Sequence, residues 1–192
     1  EAYTPDPTQD ADLDGITDAA RVGIPGRETT VAHVPRLPYL TADEREVETR
    51  FATDYEANRE QLVRQYIDAV HGNDKAPTTF ATDDAKKLSP DYRQSDEAKA
   101  LYNAAVHQTA NAIAKGAFVK PLDEVVMQLP PEKRTVLVTA GGVGSGKSFA
   151  LGAVASDMAA KAAAVWDSAG EQNSTEMPWV LAECAKRGLR PT

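Results

Sequence analysis

Eight consecutive residues have the types and the spacing to cradle a phosphate chain: Gly141, Gly142, Val143, Gly144, Ser145, Gly146, Lys147 and Ser148. They fit the pattern G-x-x-x-x-G-K-[ST]. Glycine lets the backbone turn its N–H groups inward around phosphate oxygens, where a Cβ would intrude. Lys147 brings a point charge to the β- and γ-phosphates, and the Ser148 hydroxyl can hold Mg²⁺. A helix starting at about Lys147 points its positive dipole end at the anion. A second chemical group follows 20 residues after Lys147. It is Asp167, at the end of a short apolar run. A carboxylate there can take a proton from an acceptor hydroxyl or hold the metal.

These groups need a parallel α/β frame. Residues 135–139 read Thr-Val-Leu-Val-Thr, β-branched and apolar without polar alternation, as a strand covered on both faces should be. An Ala-rich helix of about 12–14 residues is expected after Ser148, through Phe149, Leu151, Val154 and Met158. Residues 162–166 then form a second short strand ending at Asp167. Parallel strands deliver their carboxyl ends to one sheet edge. With strands ~4.8 Å apart, Asp167 is expected within about 10 Å of the phosphate loop, whether the two strands are adjacent or separated by one. A polar loop, 168–175, lies at the same edge. Ser174 or Thr175 can cap a helix that tolerates Pro178 in its first turn. Trp179, Leu181, Ala182 and Ala185 give that helix its apolar face, and Gly188 its end. Residues 189–192 lead toward another strand. Only two strands are convincing, too few to close a parallel core. The sequence therefore predicts a chain that is part of a longer polypeptide, with the remaining strands lying beyond it or supplied by a separate chain.

Upstream of this unit, residues 1–40 read as an extended arm punctuated by proline and glycine. Its segment 31–40 is apolar enough to lie over another domain. Residues 41–130 read as a helical region. Thr41 and Glu44 form a capping box. Val47, Phe51 and Tyr55, then Leu62, Tyr66 and Val70, recur at i, i+4 spacing, which predicts a long helix ending near His71-Gly72. Residues 73–80 read as a connector. Ser89-Pro90 and Ser95-Asp96 are start signals for further helices. Ala98, Leu101, Ala105, Ala112 and Ile113 make a small-residue face, and Gly116 is the expected end. Part of 121–133 reads as a short helix before Pro130-Pro131.

Composition excludes several classes. The net charge of −8 repels nucleic acid as a main partner. The single cysteine, Cys184, forms no internal disulfide and no thiolate metal cluster, which suits a reducing compartment. It lies within the last helix and reads as packing. No apolar run approaches the ~18 residues of a membrane span, and no signal peptide is visible. His33, His71 and His107 are isolated and lack metal-ligand spacing. Tyr55, Tyr66 and Tyr102 read as core. Asp10, Asp12, Asp14 and Gly15 open like a calcium loop, but Arg21 stands where a bidentate Glu is needed, so no calcium is expected.

The run from Thr139 to Ser148, followed by a short strand and Asp167, resembles the zeta toxin family of P-loop kinases and related bacterial effector kinases. The resemblance covers mainly residues 133–192, under a third of the chain. It implies an α/β P-loop kinase core behind a mostly α-helical region, and transfer of the ATP γ-phosphate to a hydroxyl of a small metabolite of nucleotide-sugar or dinucleotide type. Gly141 to Ser148 would take ATP and Mg²⁺, and Asp167 would be the base. It also implies a cytoplasmic protein, bacterial or exported to a host cytosol, whose partner besides the small-molecule acceptor is either an antitoxin or the missing remainder of the kinase core. The family's further strands and its arginine-bearing lid have no counterpart before Thr192. Two other readings stay open. One is a P-loop ATPase with Asp167 as a metal ligand; guanine specificity is disfavoured because no N-K-x-D element occurs. The other is a helical interaction module with a nucleotide-binding segment that does not turn over.

Overall fold

The computed structural model describes residues 33–71, 79–125, 128–141, 158, 162–169 and 173–192. Its centre is the strand predicted around Leu137. Among the described residues four strands occur, β1 (Thr79–Ala81), β2 (Thr135–Gly141), β3 (Ala164–Ala169) and β4 (Arg190–Pro191). They lie in the order β1-β3-β2-β4, and every pairing is parallel. Val136 stands opposite Ala164, Thr139 opposite Asp167, and Ala81 on the far side opposite Asp167 as well. Two strands are expected from the sequence, so that count is corrected to four. β4 grows out of the segment read as the approach to a strand. β1 lies partly in the segment read as a connector, because three residues are too few to carry a period-2 signal. Both edge strands are very short, which limits the unpaired backbone they offer.

Helices among the described residues include α1 (Ala42–His71), α2 (Thr82–Lys86), α3 (Asp96–Val125) and α4 (Asn173–Lys186). At the start of α1 the Thr41 N–H donates to Glu44 Oε2 at 2.9 Å, and the Glu44 N–H to Thr41 Oγ1 at 3.4 Å. This is the capping box read from the sequence. The helix kinks at Asn58 (φ −127°, ψ 30°). Upstream, Val34 and Leu40 are buried against the core. The Leu37 N–H bonds Glu48 Oε1 at 2.8 Å, so the end of the arm is strapped to α1, as its apolar content suggested.

α3 begins as expected, with Ser95 Oγ accepting from the Ala98 N–H at 3.1 Å. Ser89 starts no helix; residues 90–93 form turns. Gly116 does not end α3, which runs on to Val125. The glycine is used for packing. A Cβ built on it would sit 3.1 Å from Val63 Cγ2 of α1, so the two helices meet closely here. Gly116→Val is therefore expected to lower stability by about 1–3 kcal/mol through overpacking, read from the denaturant midpoint at unchanged slope. A variant as stable as the parent would mean that the helices separate without cost.

The main core lies between one face of the sheet and α1, α3 and α4. Rings run through it in series: Tyr66–Phe80 at 6.3 Å between centres, Phe80–Phe118 at 5.8 Å, Phe118–Trp166 at 5.2 Å and Trp166–Trp179 at 5.3 Å. On the other face Leu137 and Val165 form a smaller cluster with Ala162. α4 is closed off just past Lys186 by Gly188 (φ +64°), where Leu189 N–H bonds Cys184 O at 2.9 Å and Gly188 N–H bonds Ala185 O at 3.2 Å. These two bonds make a Schellman motif, and the positive φ explains the glycine. Arg187 Nε then donates to Asp123 Oδ1 at 2.6 Å, tying this end to α3. Cys184 is fully buried, and burial pushes its thiol up to about 11, consistent with a packing role. Among the described residues no helix is long and apolar enough to cross a membrane.

Candidate functional site

Two of the residues singled out for chemistry, Gly141 and Asp167, lie at the carboxyl edge of the sheet on adjacent strands. β2 ends at Gly141, the first residue of the phosphate-loop pattern, opposite Ala169. Gly142, Val143, Gly144, Ser145, Gly146, Lys147 and Ser148 lie outside the described residues, as does the calcium-like run Asp10–Asp18. Met158, from the helix expected after the loop, is helical. Its carbonyl accepts the Ala162 N–H at 3.0 Å.

Asp167 is half-buried on β3, directly adjacent to β2. Of the two placements left open by the sequence, the closer one holds. Thr139 Oγ1 donates to Asp167 Oδ1 at 2.7 Å. Strand register explains the pair, since side chains at paired positions point to the same face. The hydroxyl proton fixes one carboxylate oxygen. Among the described residues Oδ2 has no hydrogen-bond partner, so it could accept a proton or approach a cation. The sequence marks Thr139 only as a strand residue; its partnership depends on register, which the sequence does not display.

On the other side of β3, Ala81 ends β1. Its N–H donates to Tyr66 Oη at 2.8 Å, and that hydroxyl donates back to Ala81 O at 2.8 Å. Tyr66 thus belongs to the core, as expected, but its hydroxyl holds the end of β1 at this edge. Burial raises the Tyr66 phenol well above its ordinary range, and the charges of Asp84 and Asp167 add to the shift. Asp83 and Asp84 open α2 here, each paired with a lysine, Lys86 at 2.8 Å and Lys87 at 2.6 Å.

Beneath Asp167 lies a buried polar group that the sequence reading missed. Glu176, in the first turn of α4, is 1% exposed. Its Oε2 accepts from Ser168 Oγ at 2.6 Å and its Oε1 from Asn111 Nδ2 of α3 at 3.2 Å. Lys115 is also buried, with Nζ 5.1 Å from the centre of the Trp179 ring. Burial holds its ammonium below the ordinary lysine range, against the opposing pull of the Glu176 carboxylate. The only sequence signal was an acidic residue in a first turn, which reads equally well as a solvated partner of the helix dipole.

The histidines do not assemble. His33 is exposed and meets Glu56 at 3.1 Å, while His107 lies on α3 and His71 ends α1. Among the described residues no three His, Cys, Asp or Glu side chains gather around a common point. Mg²⁺ asks for less than that, one or two protein oxygens plus water and phosphate. The free side of Asp167 fits such a partial role, with Ser148 as the other candidate. No family model matches this chain, and no curated protein matches it.

Proposed function

We propose that the chain is a zeta-toxin-like kinase that transfers the γ-phosphate of ATP to a hydroxyl of a small metabolite, of nucleotide-sugar or dinucleotide type. The observation that carries the reading is the Thr139–Asp167 pair. It puts a half-buried carboxylate on the strand beside the one that runs into Gly141 and the Gly-Lys-Ser sequence after it. The loop from Gly141 to Ser148 would wrap the phosphates, with Lys147 on the β- and γ-phosphates. Mg²⁺ would neutralise charge on the β- and γ-oxygens, held in part by Ser148. Asp167, oriented by Thr139, would take the acceptor's hydroxyl proton on Oδ2. The acceptor oxygen bonds to the γ-phosphorus as the bond to the bridging oxygen breaks and ADP leaves. Most of the rate gain would come from alignment and charge placement.

The same pair supports a second reading, an ATPase with Asp167 as a metal ligand, because a carboxylate on the strand beside the one that leads into the loop could hold the metal instead of taking a proton. Incubation with ATP, Mg²⁺ and a pool of nucleotide sugars and dinucleotides, followed by mass analysis, separates the two. A product 80 Da heavier than a pool member, the mass of HPO₃ (about 80), supports the kinase. ADP and phosphate alone support the ATPase, and neither product overturns both. Lys147→Ala is expected to abolish whichever product forms. Unchanged turnover and unchanged calorimetric ATP affinity in that variant would remove the phosphate-loop assignment.

A further inference from the structure

Side chains on β3 alternate between faces, so Asp167 and Ser168 leave the strand on opposite sides. Each meets a hydrogen-bond partner. Asp167 is held by Thr139 at 2.7 Å, and Ser168 by Glu176 at 2.6 Å. The end of β3 is therefore gripped from both faces. We infer that Glu176 is a positioning residue, which clamps the carboxyl end of β3 between α4 and α3 and so fixes the direction in which Asp167 presents its free oxygen. The role of Asp167 in this inference rests on the function proposed above; the clamp itself does not.

Three observations carry the inference. The carboxylate is 1% exposed, so its bonds are made without competing water. It joins two elements far apart in the chain, Asn111 on α3 and Ser168 on β3, while itself riding on α4. Its charge also acts on Lys115, a buried ammonium over Trp179. Burying a carboxylate and an ammonium is costly, and apolar residues of similar size often serve stability as well or better. Stability alone thus gives little reason for a charged group here. Geometry gives one. An ionised acceptor makes shorter and stronger bonds than a neutral one, and so narrows the range of positions open to Ser168 and to its neighbour.

The test has two arms. Glu176→Gln keeps the shape and removes the charge. Amide exchange at Asp167, Ser168 and Ala169 is expected to quicken by about fivefold, with Val165 and Trp166 unchanged. Ser168→Ala cuts the clamp on the strand side and should give the same local pattern; it serves alone if Glu176→Gln does not fold. Acceleration spread evenly over β3 and α4, or no change at the three sites, overturns the clamp. In the second arm Glu176→Gln lowers kcat for phosphoryl transfer about tenfold with the KM for ATP unchanged, and it has no further effect in an Asp167→Asn background. Equal effects in both backgrounds overturn positioning through Asp167. If the parent protein transfers no phosphate, the kinase reading fails, and the exchange arm still decides the clamp.

Discussion

Asp167→Asn is expected to lower phosphoryl transfer by about 10²–10⁴-fold while ATP affinity stays within about twofold. The asparagine keeps the size of the side chain and can still accept from Thr139 Oγ1 through its amide oxygen, so the pairing of β2 with β3 survives. What it loses is the basic oxygen. A neutral amide cannot take the proton of an acceptor hydroxyl, and the attacking oxygen stays a poor nucleophile. Steady-state transfer and calorimetric titration with ATP, with and without Mg²⁺, check both halves. Transfer at the parent rate would remove Asp167 from the chemistry. If Mg²⁺-dependent ATP binding falls with turnover, the carboxylate holds the metal and the ATPase reading gains.

Trp166→Ala, by contrast, is expected to cost about 3–5 kcal/mol of folding stability. Trp166 is fully buried, with Phe118 at 5.2 Å edge-on and Trp179 at 5.3 Å. It packs the sheet against α3 and α4 at once, and alanine would leave a cavity between rigid elements that cannot all close on it. In a domain of this size that loss lowers the melting temperature by roughly 6–20 °C. Trp166→Phe should cost less than about 1.5 kcal/mol. It keeps a ring and drops an indole N–H that has no hydrogen-bond partner among the described residues. Equal losses in the two variants would show that the indole matters for something other than filling space.

Local signals in the sequence were read correctly where local chemistry decides. The Thr41–Glu44 box, the Ser95 cap and the Gly188 terminus each need only residues within one turn. β2 was legible too, since an unbroken β-branched run has few other uses, although it extends two residues past Thr139 to Gly141. Gly116 misled because the chain's local rule, glycine ends a helix, lost to a close approach by Val63. β1 was hidden because a strand of three residues exists only by virtue of its partner. At the site, strand order brought Asp167 to the expected edge. Its hydroxyl partner and the buried Glu176 were invisible for one reason: both depend on contacts between residues distant in sequence, 28 apart for Thr139 and 65 apart for Asn111.

The way β1 enters the sheet has a consequence during synthesis. Thr79 pairs with Val165, about 86 residues later. At roughly 5–20 residues per second, β1 waits on the order of ten seconds for its partner to be made. α1 precedes β1 and most of α3 follows soon after, so the helix pair can form first and carry the strand. In the folded protein Tyr66 already satisfies both the N–H and the C=O of Ala81 from α1. Formed early, that hydroxyl would shield the end of the waiting strand from stray pairing with another nascent chain. The tyrosine that anchors a sheet edge in the finished protein would then act as a chaperone in cis on the ribosome.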